Sequence, residues 1–175
     1  MATLPIDEPY VTVEEYLHTS YRPDCDYVDG QIEERNLGEY DHGLLQLALG
    51  VLFTANREAW EVRVVTDVRT QVKRTRYRVP DLSVLRANAP REQIITHPPL
   101  IAIEILSPED RLSRFQERID DYVEFGVGNI WIIDPAKRRA WVCSRGRFEE
   151  PEGRILAVPS SAIQIPLDSL FAELD

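Results

Sequence analysis

The chain has 175 residues, 43% of them hydrophobic, enough for one domain with a core of its own. With 30 acidic residues against 20 basic ones its formal charge is −10, which argues against a broadly basic nucleic-acid-binding surface. No apolar run is long enough to span a bilayer, no basic-then-apolar leader opens the chain, and Cys25 and Cys143 match no zinc or redox spacing; a cytoplasmic protein without membrane contact is the default expectation.

Val11 to His18 reads as a helix, with Thr12 as N-cap, Glu15 three residues on, and Val11 placed to staple onto Tyr16. Pro23 interrupts the chain, and Cys25 to Arg35 reads as a strand that turns at Asp29-Gly30, a hairpin signal. Asp26 and Glu34 lie on this hairpin, where a solvated strand acid is the ordinary outcome. Asp41 to Asn56 is a helix whose His42, Leu45, Leu49 and Leu52 share one face. His42 therefore points inward in the first turn, to meet a site or to bond a backbone group.

From Trp60 to Leu85 the pattern turns to β, over Val62 to Val65, Val68 to Thr75 and Tyr77 to Leu85. Lys73, Arg74, Arg76 and Arg78 form the densest basic run. On a strand the three arginines share a face, as a phosphate-contacting ridge or as a solvated face that discourages edge pairing. Leu100 to Leu106 is almost entirely apolar, as expected of a central strand covered on both sides. Ser113 then caps a helix with Gln116 in the capping-box position and Gly126 after it; its apolar face is Phe115, Ile119, Tyr122 and Val123. Asn129 to Ile133 is a second buried strand, parallel to the first by way of a right-handed helical crossover. A strand from Ala140 to Ser144, a hairpin at Gly146 and a short amphipathic piece from Leu167 to Leu174 complete an α/β chain with a mixed central sheet.

Two of these apolar runs each carry one acid: Asp81, directly after Pro80, and Glu104, in the middle of its strand. A carboxylate inside an apolar strand is costly to bury unless it is paired or bound to a metal. Two on neighbouring runs point to one site, with the polar, proline-bounded loop Ala87 to Pro99 beside it. Arg111, Arg114 and Arg118 lie along the helix that follows Glu104. Arg118 could pair with Glu104, or within its own helix with Asp121 or Glu117 for ~0.2–0.5 kcal/mol.

Pro80-Asp81 followed after a spacer by Glu104-Ile105-Leu106-Ser107 resembles the PD-(D/E)XK nuclease signature. Tyr27-Val28-Asp29-Gly30, His42 opening a helix, Val79-Pro80-Asp81-Leu82-Ser83, Glu104 to Pro108 and Ile130 to Pro135 together make the chain resemble the Uma2 family of restriction-endonuclease-like proteins, from about Tyr10 to Cys143. The signature's lysine would fall at Leu106, and the resemblance implies that the basic residue has moved onto the next helix, as Arg118. It further implies a restriction-endonuclease-like core in a single domain over 1–175, with an N-terminal helical segment, 1–24, and a C-terminal extension, 151–175. The implied activity is hydrolysis of DNA phosphodiester bonds by a Mg2+-dependent endonuclease, with Mn2+ as a substitute. Asp81, Glu104 and the carbonyl of Ile105 would hold the ion; Asp81, Glu104, Arg118 and His42 form the catalytic set; Asp26, Glu34 and Arg114 are accessory. DNA is the implied partner, and the resemblance leaves room for a homodimer, since related nucleases often pair. The alternative is a catalytically inactive nuclease-like fold that serves as a binding or assembly module, in which Glu104 and Arg118 are a structural ion pair.

Overall fold

The structure, a computed structural model, describes residues 10–175 except 111 and 145, and leaves the side chains of 112–114 undescribed. Helix α1 (Val13–His18) begins where the Thr12 hydroxyl accepts the Glu15 N–H at 3.1 Å. It sets Tyr16 against Tyr27 and Tyr77, a small aromatic core of its own. Strands β1 (Cys25–Val28) and β2 (Gln31–Glu34) pair antiparallel across a turn in which Asp29 and Gly30 both take positive φ, +48° and +98°. That is the backbone which a two-residue hairpin demands.

Helix α2 (Tyr40–Ala55) is followed by β3 (Val62–Thr66), β4 (Thr70–Lys73), β5 (Arg76–Arg78), β6 (Leu82–Arg86) and β7 (Ile101–Ile105). Helix α3 (Leu112–Phe125) and strands β8 (Asn129–Asp134), β9 (Arg139–Ser144) and β10 (Arg147–Glu149) come next. The chain ends with a hairpin, β11 (Ile155–Ala157) and β12 (Gln164–Pro166), and helix α4 (Leu167–Phe171).

Six strands form the mixed central sheet in the order β10-β9-β8-β7-β6-β3, with β7 and β8 parallel through the α3 crossover. A four-stranded antiparallel sheet, β2-β1-β5-β4, stands beside it. The expected single run from Tyr77 to Leu85 is divided between the two. Pro80 has no N–H to give a ladder, and Val79-Pro80-Asp81 carries the chain from β5 in one sheet to β6 in the other.

Period-two alternation sorts the β7 side chains. Ile101, Ile103 and Ile105 join Trp131, Ile133 and the Leu45, Leu49 and Phe53 face of α2. Ala102 points the other way, toward Ile130, Ile132 and the Phe115, Ile119 and Tyr122 face of α3. Glu104 has the parity of Ala102 and so lies under α3. The loop 87–99 is bridged to β4 through Ile95 and Thr70, and it lines a cavity with β3 rather than flanking the two acids as expected. Among the described residues no helix is long and apolar enough to cross a membrane.

Candidate functional site

Residues Leu82, Ser83 and Val84 of β6 pair with Ile103, Ala102 and Ile101 of β7, and continuing that register by one residue sets Asp81 opposite Glu104. Opposed residues of an antiparallel pair present their side chains to the same face about 5 Å apart. Both acids line one cavity of about 340 Å³, together with His42, Arg35, Ile105 and Arg118. Neither is solvated: Asp81 is 2% and Glu104 1% exposed.

Four donors reach the Asp81 carboxylate or share its cavity wall. One oxygen accepts the Ile105 N–H at 2.7 Å, which ties the acid to β7. The other takes an Arg35 guanidinium N–H and stands 3.3 Å from His42 Nε2. Gln46 Nε2, from the turn of α2 after His42, bonds the Asp81 carbonyl at 3.0 Å. Burial pushes the Asp81 carboxyl up, but the His42 hydrogen bond and the Arg35 charge outweigh it and hold it below the usual carboxylate range. The same contact raises His42 against the effect of its own burial.

Glu104 lacks that surplus of cations. It accepts the Tyr122 hydroxyl at 2.5 Å and Arg118 Nη1 at 3.3 Å. Burial, helped by the nearby Asp81 charge and opposed by Arg118, lifts its carboxyl to about 7. Arg118 and Tyr122 are one helical turn apart on α3, so both reach the same carboxylate. The intrahelical alternative for Arg118 is not taken. Its other nitrogen stands 3.1 Å from Asp26, and the guanidinium bridges two acids.

Asp26 sits at the bottom of this arrangement, fully buried, which overturns the expectation of a solvated strand acid. It accepts the Val79 N–H at 3.0 Å and Arg78 Nη1 at 3.1 Å. Although burial raises it, Arg118, Arg78 and Arg35 bring its carboxyl below the ordinary value. Arg78 is itself 1% exposed and also meets Glu33 at 2.8 Å and Asp121 at 2.7 Å. Arg76 is paired with Asp29, Glu117 and Asp121. Neither arginine belongs to a phosphate ridge or to a solvated face; of the run 73–78, Arg74, exposed in the β4–β5 turn, makes no ion pair among the described residues, while Lys73 joins Asp121 and Glu124. Three acids converging from β1, β2 and α3 make a buried guanidinium tolerable.

The structure thus brings Asp81, Glu104, Ile105, His42, Arg118 and Asp26 together. Glu34 is exposed at the rim of the same cavity, without an ion pair among the described residues. The Arg114 and Arg111 side chains lie outside the described residues. Two members of the network escaped sequence reading. Arg35 sits one residue after Glu34, at the point where β2 has ended and alternation no longer assigns a face. Tyr122 was legible only as an apolar helix position, because nothing local says where its hydroxyl ends.

The profile of the Uma2 family, described as "Putative restriction endonuclease", matches residues 13–168. The chain belongs to that family. Among solved structures, this Uma2 chain is similar to "a putative nuclease belonging to DUF820 from Anabaena variabilis ATCC 29413". The identity is 23%, with 94% of this chain and 99% of that one covered and a TM-score of 0.81, a likeness of fold. A DrdV–DNA complex aligns at 16% identity and a TM-score of 0.39, over 73% of this chain and 11% of that one. No curated protein matches the chain.

Proposed function

We propose that this Uma2 chain is an endonuclease of the PD-(D/E)XK kind, hydrolysing DNA phosphodiester bonds with magnesium or manganese held at Asp81 and Glu104. The observation that carries the reading is the β6–β7 register, which sets two buried acids face to face in one cavity beside a basic side chain from the next helix. The donor set fits the ion: two carboxylates and the Ile105 carbonyl are hard oxygen ligands. No third acidic, histidine or cysteine side chain completes a cluster with them among the described residues, so waters would fill the remaining positions. The buried Glu104, with its raised carboxyl, favours a further cation at this place. Bound there, the metal would lower the pKa of a water and offset charge on the scissile phosphate.

The protein's own groups do the rest. The Ile105 N–H and Arg35 orient Asp81. Arg118, held protonated by the Asp26 and Glu104 charges against the opposing effect of its burial, serves as a phosphate clamp rather than a base, since a guanidinium does not deprotonate in proteins. Its buried Nε has no partner among the described residues, which leaves a donor for an anion. His42 is the proton-handling group within reach of Asp81, 3.3 Å away, a contact that favours its protonated form against burial. Incubation of the purified chain with duplex, nicked and branched DNA tests the proposal. Cleavage is expected only with magnesium or manganese, and Asp81→Ala abolishes it. No cleavage of any substrate in either metal overturns it.

One observation favours a non-catalytic binding or assembly module instead. Arg35, Arg118, His42 and Tyr122 already engage the two carboxylates, as in a closed structural network. Calorimetry separates the two readings: magnesium or manganese binding that Asp81→Ala removes excludes the module, and no binding excludes the nuclease.

A further inference from the structure

Beyond the acidic centre, the exposed face of α2 leads to a second cavity of about 500 Å³ with the opposite charge. Arg57, Arg63 and Arg91 line it, brought from the end of α2, from β3 and from the 87–99 loop. None of the three makes an ion pair among the described residues. The acid in its wall, Glu92, is occupied by the Thr96 N–H and hydroxyl and by His97. Arg63 gives one N–H to the Ala89 carbonyl, while its buried Nε has no partner among the described residues. Arg57 has an ordinary explanation, since a cation after a helix C-terminus complements the dipole. That account does not cover Arg63 and Arg91, which come from other segments of a chain with a charge of −10.

The two cavities are joined. Gly43 and Gln46 line both the acidic cavity and a trough between α2 and β3, and Thr54, Val64 and Val65 line both that trough and the arginine cavity. No acid lines the trough. It is open beside Gly43 and Gly50, where a Cβ on either would meet nothing within 4 Å. From His42 to Ala55 the helix rises ~20 Å, close to six base-pair steps at ~3.4 Å per strand.

We propose that the arginine cavity binds a backbone phosphate of the DNA whose scissile bond lies at Asp81 and Glu104, about half a turn of duplex away. This rests on the nuclease reading for what occupies the acidic centre, but the cavity itself is built from different residues. Arg57 and Arg91 are exposed, so Arg57→Gln with Arg91→Gln should leave the fold intact, which circular dichroism checks. Anisotropy of a fluorescent duplex is measured in chelator against salt for the wild type, for this double variant and for Asp81→Ala. The double variant is expected to bind roughly ten-fold more weakly, with its log–log salt slope flatter by about one to two, as for one or two lost phosphate contacts. Asp81→Ala is expected to keep the wild-type slope. If the double variant binds as the wild type does, the inference fails whether or not Asp81→Ala stops cleavage. Weakened binding by the double variant alongside a wild type that never cleaves leaves the phosphate site standing and removes the nuclease reading. Pyrophosphate binding that needs the two arginines, without any change in duplex binding, assigns the cavity to a small phosphate ligand and also overturns the proposal.

Discussion

Arg118→Ala removes a guanidinium from between two carboxylates that are 0% and 1% exposed, Asp26 and Glu104. Taking one partner from a buried pair costs about 3–5 kcal/mol, because the other charge stays behind. Here the loss is cushioned. Asp26 keeps Arg78 and the Val79 N–H, and Glu104 keeps the Tyr122 hydroxyl. The expected cost is therefore at the lower end, about 3 kcal/mol, a large part of the ~5–15 kcal/mol that holds a domain together. At ~2–4 °C per kcal/mol for a chain of this size, the midpoint should fall by ~6–12 °C.

The deficit should also depend on pH. The Glu104 carboxyl stands at about 7 even with Arg118 beside it, above its unfolded value. A group raised on folding contributes stability below its unfolded pKa and loses it as pH rises through the folded one. Without Arg118 the folded value rises further, so the variant is hurt most near about pH 8 and least near about pH 5.5, where the carboxyl is neutral. Urea melts at the two pH values measure this, with Arg118→Lys as a control that keeps a cation. A loss below about 1 kcal/mol near about pH 8, or the same loss at both values, would refute the bridging role.

Arg78→Met takes the shared cation from the buried Asp26 and Asp121, which keep Arg118 and Arg76, and should cost about 3–5 kcal/mol, read from urea melts. Gly30→Ala places a Cβ at φ +98° and 2.2 Å from the Tyr10 ring, so thermal unfolding should show a loss of about 1–3 kcal/mol. Magnesium affinity by calorimetry should rise as pH passes through about 7, because Glu104 must lose its proton to act as a ligand; equal affinities at about pH 6 and about pH 8 would take Glu104 out of the ligand set.

The parts of this fold that were legible in the sequence are those decided locally. The Thr12 cap, the Asp29-Gly30 turn, the Leu45 and Leu49 face of α2 and the β7–α3–β8 crossover each follow from spacing within a few residues or turns. The division at Pro80 was not legible, since Tyr77 to Leu85 has one continuous β pattern and only the second sheet shows where it breaks. The pairing of Asp81 with Glu104 could be suspected from two acids in apolar runs. Their register could not, because it is set by the length of the loop between β6 and β7 and by the core on either side. His42 was placed on the inward face by its period, and its partner emerged only when β6 was laid beneath it.

Charge misleads most when it is read along the chain. Arg76 and Arg78, in the densest basic stretch, look like a binding surface, yet Asp29, Glu117, Asp121, Asp26 and Glu33 neutralise them from four other segments. Arg57, Arg63 and Arg91 look scattered, yet a helix end, an edge strand and a loop bring them to one cavity. The same holds for the negative total. Asp26, Asp81, Glu104 and Asp121 are buried, and Arg35, Arg78 and Arg118 are held among them, so these seven charges say little about the field a ligand meets outside. A partner's phosphates respond to the cations left without acids, at the places where the fold gathers them. On this chain the arginine cavity, whose one acid Glu92 is engaged by Thr96 and His97, is reached from the buried carboxylates along one uncharged trough, so an acidic protein can still offer DNA a favourable path.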